Sequence, residues 1–133
     1  MSLGMFAAVA AGGALGAITR YAVSLAVGGG IFGIAGPLAT LGVNVVGSAI
    51  MGGFAGAVAA GMVVPEMWRG FVVIGFLGAL TTFSSFALDT GTLLARQGHL
   101  MSIVYIGLSV GLSLIAFFTV QEAVAGLLAK ASG

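Results

Sequence analysis

Cysteine is absent from the 133 residues, histidine occurs once, and the chain carries only four basic and three acidic side chains. Without cysteine there are no disulfides and no thiolate metal sites. Catalysis needs a nucleophile beside its base, or a metal with its ligands, and none of the apolar stretches holds a carboxylate pair. An enzyme is therefore not expected. A net charge of +1 gives no basic surface for nucleic acid, whose binding rests on many phosphate contacts. Charged residues make up 5% of the chain, where soluble domains average about 25%. Hydrophobic residues make up 60% and the mean hydropathy is +1.26, so the chain reads as an integral membrane protein. Its first apolar run is too long for a cleaved leader and lacks a basic start and a cleavage site, so it is expected to stay as a span.

What is present divides into four apolar stretches, over residues 3–27, 38–60, 70–95 and 101–128, in a single transmembrane domain. Each is long enough to cross a hydrocarbon core of about 30 Å at 1.5 Å per residue. The fold expected is all-α, with four transmembrane helices per subunit. The third stretch holds the most unusual segment, GFLGALTTFSSFALD at 75–89. Thr81, Thr82, Ser84 and Ser85 surround Phe83, and Gly75 and Gly78 lie just upstream. Hydroxyls in hydrocarbon must find partners, and exposed backbone is tolerated at membrane depth only inside protein or along a wet cavity. The segment is expected to break the third helix in mid-membrane and to form a solute site. If helix resumes after Thr81, Phe83 and Phe86 share a face, and Thr82, Ser85 and Asp89 form a polar stripe. The ordinary account of two phenylalanines at this spacing is core or lipid packing.

The other stretches each add one anomaly. Arg20, followed by Tyr21, is either an interfacial arginine beside a belt tyrosine or the lining of an anion-accessible vestibule. Gly12 and Gly16 have the small-xxx-small spacing of a close helix contact. Asn44 must be hydrogen-bonded; it either ties helices or a broken helix together, or points its NH₂ into a conduction path. Gly47, Ser48, Gly52 and Gly56 mark another close contact. Ser102, Tyr105, Ser109 and Ser113 fall on one stripe of a helix, with Gly107 and Gly111 on a different face. That pattern suggests tight packing on the glycine face and a polar track on the other, although isolated membrane serines often bond back to carbonyls. The uncharged connection at 28–36 and the polar turn at 61–69, with Pro65, Glu66, Trp68 and Arg69, separate the spans. Glu122, His99 and Lys130 read as interfacial charges.

With four spans, Arg69 and Lys130 share one side while Arg96 and Arg20 lie on the other. This balance gives the positive-inside rule no preference, allows insertion both ways, and makes an antiparallel two-fold dimer attractive. A bundle this small leaves little room for a pathway within one subunit. The polar inventory inside the membrane is hydroxyls, an amide, an arginine and phenylalanine edges, all presenting positive charge density. That inventory favours a small anion. A rival reading is a small multidrug-resistance-type proton-coupled exporter, which needs a deep carboxylate; a third is an assembly subunit that docks partners through its glycine faces.

Three segments taken together resemble the Fluc (CrcB-type) fluoride channel family: GFLGALTTFSSF at 75–86, GGALGAITRY at 12–21 and ATLGVNVVGSAIMG at 39–52. Departures from the family pattern are Ala39 for glycine, Ala49 for a frequent aromatic, and Ser85 for threonine. The resemblance implies a dual-topology homodimer of oppositely oriented copies in the bacterial plasma (inner) membrane, passing fluoride passively through two antiparallel pores along the subunit interface. It implies that Phe83 and Phe86 turn ring edges to the ion and that Asn44 donates to fluoride or orients those rings. Ser84, Ser85, Tyr105, Ser109 and Ser113 would belong to the polar track, with Arg20 at a vestibule. The backbone carbonyls of Gly78 and Thr81 from both subunits would hold a sodium ion on the two-fold axis. Asp89 falls where the family often has a vestibule glutamate.

Overall fold

In the computed structural model, residues 3–28 and 35–131 are described; most of the connection expected at 28–36 lies outside them. The described chain is all helical. Its helices are α1 (Leu3–Val27), α2 (Ala35–Ala59), α3 (Glu66–Arg69), a π-helical stretch (Gly70–Leu77), α4 (Gly78–Leu80), α5 (Phe83–Gln97) and α6 (His99–Ala131). Four segments are long and apolar enough to cross a membrane: Leu3–Val27, Gly36–Ala59, Glu66–Gln97 and His99–Ala131. Large apolar side chains such as Ile18, Leu25 and Ile115 point away from the chain's own interior, as suits helices whose outer solvent is lipid.

Local chemistry sets the ends. Helix α2 begins at Ala35, ahead of the expected residue 38, because Pro37 sits in the first turn, where its missing N–H costs nothing and its fixed φ suits the helix. The third segment likewise starts early, at Glu66, directly after the extended Pro65. Gly98 stops α5 at φ 85°, a left-handed conformation that side chains resist, and its N–H donates to the Leu94 carbonyl.

Glycine decides which helices touch. A Cβ on Gly12 would collide with the Phe71 carbonyl oxygen and one on Gly16 with that of Phe76. The π-helical stretch answers from its side: Gly70 and Gly75, one i→i+5 step apart, meet Met5 and Val9 of α1. Helices α2 and α6 form the second seam, where Gly52 faces the Phe117 carbonyl and Gly56 that of Gln121. Between the seams lies a small core of Val43, Leu77 and Leu80, with Val23, Met51, Val72 and Phe76 packed against it.

The two faces of α6 are used differently within the chain. Its buried residues are Ser102, Tyr105 and Ser109, whereas a Cβ on Gly107 or Gly111 would meet nothing within 4 Å. Within the chain, the hydroxyl stripe packs and the small-residue face is open. The stripe wins because its hydroxyls find acceptors on α5: Ser102 donates to the Thr90 carbonyl at 3.0 Å, and Tyr105 reaches Asp89 at 3.4 Å.

Candidate functional site

The segment at 75–89 places its hydroxyls where the helical hydrogen-bond ladder is interrupted. Thr81 and Thr82 are extended, at φ −80°, ψ 149° and φ −151°, ψ 122°. Thr82 is the N-cap of α5: its hydroxyl accepts from the Ser85 N–H at 3.3 Å, donates to the Ser85 hydroxyl at 3.2 Å, and lies 3.3 Å from that of Ser84. As a cap, Thr82 is not part of a helical stripe with Ser85 and Asp89. Thr81 folds its hydroxyl back onto the Leu77 carbonyl at 2.8 Å, which its own N–H also reaches at 3.0 Å.

One face of α2 holds this junction in place. Asn44 grips both polar groups of the Thr82 backbone, its Oδ1 accepting from the N–H at 2.8 Å and its Nδ2 donating to the carbonyl at 3.1 Å. Gly47 leaves space for the Thr81 methyl group, which a Cβ there would overlap. One turn before Asn44, Thr40 donates to Asp89 Oδ2 at 2.6 Å. Antiparallel to the returning chain, α2 thus meets Asp89, then Thr82, then Thr81. Thr40 was not among the residues singled out in the sequence, yet it is buried. Its spacing of four residues from Asn44 was the available signal.

The break diverts two backbone donors from the helical ladder. In an uninterrupted α-helix, the Gly78 carbonyl would accept from the Thr82 N–H and the Thr81 carbonyl from the Ser85 N–H. Here those donors go to Asn44 and to the Thr82 hydroxyl instead. Neutral oxygens of this kind suit a hard cation. Among the described residues no three His, Cys, Asp or Glu side chains cluster as metal ligands.

The remaining candidates fall into two concavities. One, of about 190 Å³, is lined by Asn44, Phe83, Phe86, Ser109 and Ser113 with Val110 and Leu114. The Phe83 and Phe86 rings lie 5.4 Å apart at 47°, and Phe86 meets Tyr105 at 5.5 Å and 33°. Phe83 is 79% exposed, so its ring borders the cavity without being covered by its own chain. The Ser109 and Ser113 hydroxyls are buried and have no partner. This sets them apart from Thr19, Thr81, Thr90 and Thr92, each of which bonds back to the carbonyl four residues earlier.

The other concavity, of about 410 Å³, brings Arg20 and Tyr21 of α1 together with Thr40, Ser85 and Asp89. The Arg20 Nε is buried and unpartnered, and Asp89 is held by Thr40 and Tyr105. Arg20 and Ser85 therefore lie beside Asp89, apart from the cavity of the phenylalanine pair, while Ser84 stays exposed at the start of α5. Tyr105 links the two groups, its ring against Phe86 and its hydroxyl on the carboxylate.

The family model described as "CrcB-like protein, Camphor Resistance (CrcB)" matches residues 7–121. A protein of Ruegeria sp. (strain TM1040), named "Fluoride-specific ion channel FluC", is 41% identical over 120 residues, covering 90% of this chain and 94% of that relative. A protein of the same name from Aeromonas salmonicida (strain A449) is 44% identical over 108 residues, covering 80% of this chain and 84% of its own. Another from Vibrio cholerae is 45% identical over 98 residues, covering 74% and 76%.

Proposed function

This chain belongs to the CrcB family, and on that premise we propose that it is a fluoride-selective passive channel, a multi-pass protein of the bacterial plasma membrane that lets cytoplasmic fluoride leave. The observation that carries the proposal is the cavity in which two buried, unpartnered serine hydroxyls and an asparagine amide face the Phe83–Phe86 pair. Fluoride is small and holds its water tightly, so a dehydrating passage must supply close donors in its place. Ser109, Ser113 and Asn44 supply O–H and N–H groups, and the ring edges add positive charge density. The packed rings keep the passage too narrow and dry for bulkier anions. Conduction of this kind needs no chemical step. A proton-coupled exporter lacks its carboxylate, since α1 offers Arg20 and no acid.

A second, oppositely oriented copy completes the passage. The exposed Phe83 ring and the open glycine face of α6 support this, because both are left uncovered by the chain that carries them. In that antiparallel dimer the Thr81–Thr82 junction is a break of the third helix at mid-membrane, and two pores run along the interface. Arg20, Ser85 and Asp89 form the vestibule of each pore, and Ser84 and Tyr105 continue the polar track. The Gly78 and Thr81 carbonyls of both copies would hold a sodium ion on the two-fold axis, and it would supply a fixed positive charge there. Fluoride enters cells as neutral HF, dissociates inside, and requires such an anion path to leave.

Flux through reconstituted Phe83→Ile and Phe86→Ile proteins tests the pathway: at least a tenfold loss of fluoride efflux is expected from a folded dimer, and unchanged flux in both variants would remove the rings from it. Orientation is tested in the naturally cysteine-free chain by Gln97→Cys, an exposed position whose change leaves the basic residues intact and whose thiol is expected to react with an impermeant maleimide from both sides of the membrane. Labelling from one side alone would refute dual topology.

A further inference from the structure

The groove between the C-terminal end of α2 and the start of the π-helical stretch is used by neither the proposed passage nor its vestibule. It encloses about 380 Å³ and is lined by Phe54, Ala55, Val58 and Ala59 of α2, Val73 of the π-helical stretch, and Arg69. Five of the six are apolar, and the sixth places one guanidinium at the rim. Arg69 forms no ion pair among the described residues, although Glu66 lies one turn earlier on α3. Its neighbour Trp68 is exposed and packs edge-on to Phe71 at 6.0 Å and 80°. An exposed tryptophan beside an arginine at the end of an apolar span marks the headgroup level of a bilayer.

We propose that this groove is a binding site for one glycerophospholipid per chain, with an acyl chain along the apolar wall and the phosphodiester on Arg69. Charge and depth both select this occupant. The groove's wall is apolar, as an acyl chain requires, and the exposed Trp68 beside its one cation marks the level at which lipid phosphates lie. The planar guanidinium presents paired N–H donors that match phosphate oxygens. A site of this kind differs from general lipid solvation because the small side chains of Ala55 and Ala59 belong to a concave wall that also carries the cation. It is independent of whether the protein conducts fluoride.

The test is native mass spectrometry of the purified protein after equilibration with phosphatidylglycerol, and separately with diacylglycerol of the same acyl chains, which lacks the phosphate. The expected result is one retained phosphatidylglycerol per chain and no retained diacylglycerol. Arg69→Gln is expected to lower that occupancy about tenfold, the size of one lost charge-assisted contact. Ala55→Trp, which fills the wall and leaves the charge, is expected to lower it as well, whereas Arg96→Gln leaves it unchanged. Thermal unfolding provides a second reading: phosphatidylglycerol raises the midpoint of the wild type and not of Arg69→Gln. Equal retention by the wild type and Arg69→Gln would overturn the proposal, as would equal retention of the two lipids or a crosslink from Ala55 to a second protein chain.

Discussion

The seam between α1 and the π-helical stretch and the junction at Thr81–Thr82 are adjacent in the third segment, and both depend on small residues, but for opposite reasons. In the seam, Gly12, Gly16 and Gly75 remove side chains so that backbones touch. At the junction, Gly47 removes a side chain so that an extended threonine fits. The Thr82 backbone groups released there are satisfied by Asn44. In the seam the close contacts are made within one chain. At the junction packing is incomplete: Phe83 is exposed and two buried serines lack partners. A membrane protein can thus separate rigidity from recognition over a few residues, closing one region on itself and leaving the other to be finished by an ion and a second copy.

The largest effect is expected from breaking the seam. Gly12→Leu or Gly16→Leu must push α1 off the Phe71 or Phe76 backbone, and overpacking against main chain costs several kcal/mol. Either variant is expected to lose its monodisperse peak on size-exclusion chromatography. Gly13→Ala, where an added Cβ meets nothing within 4 Å, should stay within about 0.5 kcal/mol of wild type. Equal behaviour of Gly12 and Gly13 variants would contradict the seam.

Next comes Asn44→Leu, which strands the Thr82 N–H and carbonyl. Each buried unsatisfied group costs about 1–3 kcal/mol, so a clear fall in unfolding midpoint should accompany loss of flux. Asn44→Asp keeps the acceptor for the Thr82 N–H and is expected to recover part of the stability. A stable Asn44→Leu protein with normal flux would show that the junction does not depend on this side chain.

Ser109→Ala and Ser113→Ala should sharpen the contrast from the other side. Their hydroxyls make no hydrogen bond in the chain, so the unfolding midpoint is expected to change by the equivalent of less than about 0.5 kcal/mol. Fluoride efflux, however, should fall severalfold. A fall in stability with unchanged flux would reverse the assignment and make these serines structural.

Much of this was legible in the sequence because membrane composition constrains it so strongly. Four long apolar segments, the Gly12/Gly16 and Gly52/Gly56 contacts and the unusual chemistry of Thr81–Ser85 follow from what lipid forbids. Other features depended on three-dimensional choices that spacing does not encode. Asn44 had two readings, and only the positions of Thr82 N–H and carbonyl reveal that it grips the junction. The α6 stripe was identified, but not that within the chain it packs while the glycine face stays open, since serine serves equally as a helix contact and as a pathway lining. Thr40 was overlooked because one threonine in an apolar run is unremarkable until the Asp89 carboxylate stands 2.6 Å away. The division into two concavities does follow the helical period, with Phe83 and Phe86 lining one and Ser85 and Asp89 the other.

The most direct test of the central claim is anion efflux from liposomes holding the purified protein, with fluoride compared with chloride under a potassium–valinomycin shunt. Rapid fluoride release with negligible chloride release is predicted. Retained fluoride, from protein demonstrably folded and inserted, would contradict the account.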